Sequence, residues 1–393
     1  MVQSILDTDL YKFSTSNAYF LLYPLAEGTF TFNDRSAEVY DQEFVEQLRR
    51  ELTAMSQLSL TDAEFEYVKS RIRYIGGNYW EWLRGFRFEP SRIDCRLDGD
   101  GHLRIDVTDL MYKVTLYEVP ILATIAELRN RRLGVKADTA RALALLDEKI
   151  ALANRNQLSF SEFGTRRRFS SELHEAVVAR LKEACPDFCA GTSNVWLAMK
   201  YDLMPVGTFP HEWMMFHSGC FGYKRANYLG LEAWIQVYDG ALGTALIDTF
   251  TTASFLRTLT LKQAKLLDGF RQDSGDEIEV GEAIIARLKE FGIDPRTKLL
   301  VFSNALDFPK YSRVAAHFKG RIKVSAGIGT NLTCDPGIPG YKPANIVMKL
   351  SRCRMSPKDP WEKVIKISDD LGKHMGEDLE FRIAMHELHI GEQ

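Results

Sequence analysis

Apolar positions along this 393-residue chain follow two patterns, and the change comes near Pro120. Before it, Phe44, Val45, Leu48, Leu52 and Met55 recur at three- and four-residue spacing, which predicts a helix with one buried face. Thr61 followed by Glu64 forms a capping box that opens a second helix. The segments RFEPSRIDCRL and HLRIDV flank DGDG (98–101), a hairpin signal, and YKVTLYEV (112–119) alternates as a further strand would. Residues 1–118 are therefore expected to form an α+β domain. The C-terminal segment 351–393, where WEKVIKIS reads as a strand and DLEFRIAMHEL as a helix, is expected to complete it.

From Pro120 onward helices dominate. Pro120 sits where a helix begins, ILATIAELRNRRL carries its apolar stripe, Gly134 ends it, and a second helix is expected over 137–153. Short apolar runs then alternate with helical patterns: LSFSEF, DFCAG, MPVGT, ALIDT, LLDGF, KLLVFS, IKVSAG and NIVMKL. Strand candidates in this number, most followed by a helix, point to a closed parallel sheet. The expected fold class is α/β: an irregular (β/α) barrel over 119–350 with an N-terminal α+β domain. In such a barrel, functional groups gather where strands end and the βα loops begin.

Composition narrows the possibilities. A 45% hydrophobic content supplies a large core, and a net charge of −3 without a basic block argues against nucleic acid or an anionic membrane as partner. No apolar run approaches the roughly 20 residues of a spanning helix, and no leader pattern opens the chain, so the expected location is cytoplasmic. The six cysteines show neither CxxC pairs nor framework spacing, which fits a reducing compartment.

Candidate chemistry lies in the turns. In FGTRRRFS, Arg166, Arg167 and Arg168 follow Phe163 and Gly164, and guanidinium forks at a strand end suit phosphate or carboxylate. A solvated face of the helix over 169–184 is the competing reading of that basic run. Further on, GTSN (191–194), GTFPHEW (207–213), DGFRQDSGD (268–276), FSNALD (302–307) and AGIGTNLT (326–333) each set small and polar residues after an apolar run. Gly327 and Gly329 permit close approach of a phosphate to the backbone, Thr330 adds a hydroxyl, and Ser303 with Asn304 completes a cradle. Arg271 and Asp273, two residues apart at a strand exit, face one cavity; a plain salt bridge is the alternative. Asp248, in LIDTF, offers the hard oxygens that Mg²⁺ prefers. On these residues alone, any phosphate-binding barrel enzyme fits, an isomerase or aldolase included.

The ordered set FGTRRRFS, GTSN, GTFPHEW, FRQDSGD, FSNALD and GIGTNLTCD, with LDTDLYK (6–12) and FNDRS (32–36) before it, resembles the nicotinate phosphoribosyltransferases over nearly the whole chain. The resemblance implies transfer of phosphoribose from phosphoribosyl pyrophosphate to nicotinate, with Mg²⁺ and with ATP as co-substrate. It assigns His211 as a transiently phosphorylated nucleophile, Arg271 to the pyridine carboxylate or a donor phosphate, and Asp273 to the ribose hydroxyls. Tyr11 and Phe163 would stack on the base, Arg166 would meet its carboxylate, and Ser193 stands where relatives using nicotinamide carry an aspartate. Asp248, similarly placed at a strand exit, is expected to help hold Mg²⁺ or ribose, and Glu212, adjoining His211, is the candidate to orient it. The family further implies a homodimer in which Tyr11 and Arg35 reach the neighbour's site. Two positions depart from its usual pattern, Phe209-Pro210 before His211 and Asn331 in place of an arginine. Two rival functions remain open: a nicotinamide phosphoribosyltransferase, and a silent sensor of sugar phosphates on the same barrel.

Overall fold

The computed structural model describes residues 1–370 and 376–391. The expected domain segment 351–393 therefore lies partly outside the described residues. The chain divides into two compact units, each assembled from separated stretches: Met1–Asn17, Thr29–Gly207 and Ile328–Lys349 in the first, Ala18–Gly28, Thr208–Gly327 and Leu350–Gln393 in the second.

The first unit carries β1 (Glu27–Asp34, from Thr29 on), the hairpin β2 (Ile93–Leu97) and β3 (Leu103–Leu110), and the parallel pair β4 (Phe160–Glu162) and β5 (Cys189–Thr192). The hairpin runs in the register Cys95↔Ile105, closed across DGDG as the turn residues predict. The helix Gln42–Ala54 buries Phe44, Val45, Leu48 and Leu52. The helix Asp62–Arg71 begins with the Thr61–Glu64 capping box. The expected strand at 112–119 is instead helical: Met111–Val114, then a tight turn Thr115–Tyr117, then the helix Glu118–Arg132. Val114 through Ile125 are all buried, so alternation there carried no face information. Pro120 sits in the first turn, where its missing N–H costs nothing.

In the second unit, β6 (Thr244–Leu246), β7 (Gly269–Gln272), β8 (Leu299–Phe302) and β9 (Lys323–Ile328) form a parallel series. Registers such as Arg271↔Val301↔Ser325 bring their ends level. Helices follow them, Glu277–Glu290 after β7 and Phe308–Phe318 after β8.

Two expected barrel strands behave differently. MPVGT forms no strand; only Pro205 bridges to Thr192, since proline has no N–H for a ladder. NIVMKL begins β10 (Ile346–Arg354), which pairs antiparallel with β11 (Glu362–Lys363) instead of joining the parallel series. Its alternating burial suits a sheet packed on one face.

Candidate active site

Six of the candidate turns follow the C-terminal ends of parallel strands: those after β4, β5, β6, β7, β8 and β9. GTFPHEW does not, because no strand precedes it. His211 instead begins the helix His211–Phe221.

The second unit gathers His211, Asp248, Arg271, Asp273 and Ser303. His211 is buried, with Nδ1 3.0 Å from Thr249 Oγ1 and Nε2 3.2 Å from Asp273 Oδ2. Burial, reinforced by the positive charge of Lys366, depresses the imidazole pKa to about 4, against the pull of Asp248 and Asp273. The ring is neutral at physiological pH. A carboxylate only accepts, so the ring proton sits on Nε2, donated to Asp273, and Nδ1 carries the lone pair. Thr249 and Asp273 thus hold the two ring nitrogens, the orienting role expected of the adjacent Glu212.

Arg271, on β7, spreads its fork over three partners: Nε donates to Ser303 Oγ at 2.9 Å, Nη1 to Thr208 Oγ1 at 2.9 Å and Nη2 to Asp273 Oδ1 at 3.0 Å. Spacing two apart on a strand exit did bring Arg271 and Asp273 to one face, and they form the salt bridge the sequence left as an alternative. Burial opposes the charge on Asp273, yet Arg271, the His211 hydrogen bond and Lys366 together hold its carboxyl well below the usual range. Asp248, after β6, accepts from Ser274 Oγ at 2.5 Å through Oδ2. Its buried Oδ1 has no hydrogen-bond partner among the described residues. His211, Asp248 and Asp273 offer ligand atoms all within 4.8 Å of one another. Asn304 donates to Gly275 O at 3.4 Å, and Gly327 is buried near the end of β9. Phe209, one of the two departures, is buried and packs its ring on Trp234 with centroids 5.1 Å apart, making it a core contact.

In the first unit, Glu162 pins two turns at once. Its carboxylate accepts from the Gly164 N–H and from Thr192 Oγ1 at 2.5 Å, and its carbonyl accepts from Ser193 N at 2.9 Å. Phe163, half-buried, donates its N–H to Ile328 O at 2.8 Å. A Cβ on Gly164 would fall 2.1 Å from Thr333 Oγ1, and one on Gly329 2.9 Å from the Phe163 carbonyl. Only glycine lets these two turns pack backbone against backbone. Thr330 follows Gly329 as the first residue of the short helix Thr330–Thr333.

Around Arg166 buried charges cluster. Its Nη1 lies 3.7 Å from Glu118 Oε1, Lys349 Nζ lies 3.9 Å from the same oxygen, and the fully buried Lys12 pairs with Glu118 Oε2 at 2.5 Å. Three cations thus surround one carboxylate, which they hold below its usual pKa against the effect of burial. Ser193 donates to Asp9 Oδ1 at 2.7 Å, and burial raises the Asp9 pKa against the pull of Arg166. Tyr11 lies on the helix Leu10–Leu22, half-buried, with Lys12 Nζ 5.2 Å from its ring centroid. Arg35 is exposed at the end of β1, its N–H on Asn345 O at 2.9 Å.

One expectation about the arginine run is corrected. Arg168 is buried and grips Asp7 through two hydrogen bonds of 2.7 and 3.0 Å, so it is a structural ion pair and no ligand receptor. Asn331, the second departure, accepts Lys149 Nζ on its carbonyl at 2.5 Å. The sequence reading passed over Asp7, Asp9, Lys12, Glu118, Glu162, Thr249, Lys349 and Lys366. The first two had a visible signal, two aspartates bracketing Thr8 beside the apolar run of LDTDLYK. Thr249 and Lys366 had none, since their place depends on tertiary packing.

Comparison with known proteins yields a consistent set. Residues 158–391 match the nicotinate phosphoribosyltransferase family model, and residues 6–126 match the model of that family's N-terminal domain. A nicotinate phosphoribosyltransferase of Chromohalobacter salexigens is 41% identical over 381 residues, covering 96% of each chain. A crystal structure of nicotinate phosphoribosyltransferase from Porphyromonas gingivalis superposes with a TM-score of 0.98 at 45% identity, covering 99% of this chain and 100% of the other. One from Vibrio cholerae gives 0.93 at 32% identity, covering 100% and 95%. The likeness extends through the α/β fold that the sequence pattern led us to expect.

Proposed function

Because this chain belongs to the nicotinate phosphoribosyltransferase family, we propose that it joins nicotinate to the phosphoribosyl group of phosphoribosyl pyrophosphate, releasing pyrophosphate, with ATP hydrolysed through a phosphohistidine at His211. The observation that carries the ATP step is the state of His211: buried, neutral, with Nε2–H on Asp273 and the lone pair on Nδ1. A nucleophilic imidazole needs that combination of one protonated, oriented nitrogen and one bare nitrogen. In the proposed step Nδ1 forms a bond to the γ-phosphorus of ATP as the bridging P–O bond breaks toward ADP, while Nε2 keeps its proton, donated to the Asp273 carboxylate. Thr249 must release Nδ1 for this to occur. Water later attacks the same phosphorus, returning the electron pair to the ring.

Glycosyl transfer itself passes through an oxocarbenium-like state, so the protein's task is orientation and charge placement. Asp273 is the acceptor proposed for ribose hydroxyls, Arg271 for a donor phosphate or the pyridine carboxylate. Gly327, Gly329, Thr330, Ser303 and Asn304 are proposed to cradle phosphate. Arg166 is proposed to meet the carboxylate of nicotinate in the first unit, where Phe163 and Tyr11 would stack on the ring. Ser193, bearing no charge, favours nicotinate over nicotinamide.

Mg²⁺ fits the donor set of the second unit in part. Asp248 presents a buried oxygen without a donor and Asp273 lies alongside, whereas imidazole is a poorer partner for so hard an ion. Asp248, with Asp273, would hold the ion and let it neutralise phosphate charge.

A homodimer with shared sites, through Tyr11 and Arg35, is part of the same proposal. Mixing Tyr11→Ala and Arg271→Ala proteins is expected to restore activity, and no restoration would remove it. No described helix is long and apolar enough to cross a membrane, and a cytoplasmic location is proposed.

Mononucleotide formation from either pyridine, each with and without ATP and Mg²⁺, tests the substrate reading. Turnover of nicotinate raised by ATP is expected; preference for nicotinamide, or donor binding without turnover, would replace it with one of the rival functions.

A further inference from the structure

A phosphoryl group on His211 would bring about two negative charges beside two carboxylates, Asp248 and Asp273. Beside the Mg²⁺ proposed at Asp248, this charge calls for a cation of the protein's own. Arg271 is already committed to Ser303, Thr208 and Asp273 through all three nitrogens of its fork.

The segment Ile365–Asp369 supplies a second cation. The N–H groups of Ile367 and Ser368 both donate to Thr249 O, at 2.9 and 3.3 Å, strapping this segment along the residue whose hydroxyl covers His211 Nδ1. Asp369 locks the strap further on: it accepts from Thr252 N at 2.7 Å and Thr252 Oγ1 at 2.6 Å, while its own N–H donates to Ser274 Oγ at 3.1 Å. Two non-glycine residues here, Thr251 and Ser368, sit at φ of 70° and 76°. Conformations of that kind persist where surrounding contacts over-determine the backbone, commonly at functional sites. Lys366 is carried on this strap, with its Nζ 3.7 Å from Asp248 Oδ2, an ion pair too long for a hydrogen bond. Its side chain is 12% exposed, so the charge acts with little solvent screening.

We propose that Lys366 is a catalytic residue of the ATP half-reaction: its ammonium contacts the phosphoryl oxygens during transfer to His211 and holds them in the phosphoenzyme. The ligand class is a nucleoside triphosphate γ-phosphate and then a protein-bound phosphoryl group. No bond to Lys366 forms; it supplies charge and hydrogen-bond donors where negative charge builds up. Asp248 keeps the ammonium in place before ATP arrives. The proposal rests on the phosphohistidine reading.

The test uses the full-length protein and ATP labelled at the γ-phosphate, following acid-labile, base-stable label in the parent, His211→Ala, Lys366→Met and Lys366→Arg proteins. The parent is expected to label and His211→Ala to remain unlabelled. Lys366→Met is expected to label about 100-fold more slowly while remaining folded, with Lys366→Arg recovering part of the rate because it restores the charge. Lys366→Gln, which keeps length and a polar head, replaces Lys366→Met should the latter fail to fold and is expected to be equally slow. Labelling of Lys366→Met or Lys366→Gln at the parent rate would overturn the role of Lys366. An unlabelled parent would overturn the phosphohistidine reading itself, and the two failures are thereby distinct.

Discussion

Asp273 Oδ2 stands 3.2 Å from His211 Nε2, while its Oδ1 accepts from Arg271 Nη2 at 3.0 Å. One carboxylate thus fixes both the tautomer of a buried histidine and the orientation of a guanidinium.

The other ring nitrogen gives a direct test of this arrangement. Thr249→Val removes the hydroxyl from Nδ1 while conserving shape. Because the hydroxyl must leave Nδ1 before that nitrogen attacks, its loss removes a ground-state contact, and phosphoenzyme formation should hold or rise by up to about tenfold. Rapid-quench labelling with ATP reads this, and a fall of about tenfold or more would contradict attack through Nδ1.

The pH dependence follows from the depressed pKa of His211. Its folded value of about 4 lies below the ordinary 6.5, so between these values the unfolded chain binds the proton and the folded one does not. Stability therefore rises with pH across that window and falls as pH drops from 6.5 toward 4, by on the order of 3 kcal/mol from this group. His211→Ala is expected to flatten that part of the stability profile in denaturant titrations between pH 4 and 7. The neutral nucleophile also persists well below pH 6.5, so phosphoenzyme formation should show no break near that value.

Asp7 and Arg168 form a buried pair whose partners cannot be removed singly without leaving a bare charge. Arg168→Met alone is expected to cost about 3–5 kcal/mol. The double variant Asp7→Asn with Arg168→Met should recover much of it. Midpoints of chemical denaturation for the three proteins check this, and equal losses in single and double variants would contradict it.

Ser193 donates to Asp9 Oδ1 at 2.7 Å. Ser193→Asp would place a second carboxylate against the first and against the carboxylate of nicotinate. A rise of at least about tenfold in KM for nicotinate is expected, as befits a like-charge contact worth more than 1.4 kcal/mol. Nicotinamide, which carries no charge, should be affected less, and initial rates with both pyridines decide.

What could be seen in the sequence was largely what is local. The capping box at Thr61, the DGDG hairpin and the spacing of Arg271 and Asp273 are set within a few residues, and each appears where the pattern placed it. Residues 112–119 misled because alternation distinguishes a strand only where one face meets water, and here nearly every residue is buried. Arg168 looked identical to Arg166 in the sequence; only the fold reveals that Asp7, 161 residues away, consumes it. Thr249 and Lys366 acquire their place from a strap that joins 249 to 367, a contact that no local spacing announces.

The most direct test of the central claim measures nicotinate mononucleotide and ADP together, over one time course, in the parent and in His211→Ala. The parent is expected to form both products in step, whereas His211→Ala should form no ADP and show no stimulation of nucleotide formation by ATP. ADP release from His211→Ala at the parent rate would contradict a phosphoryl transfer through this histidine.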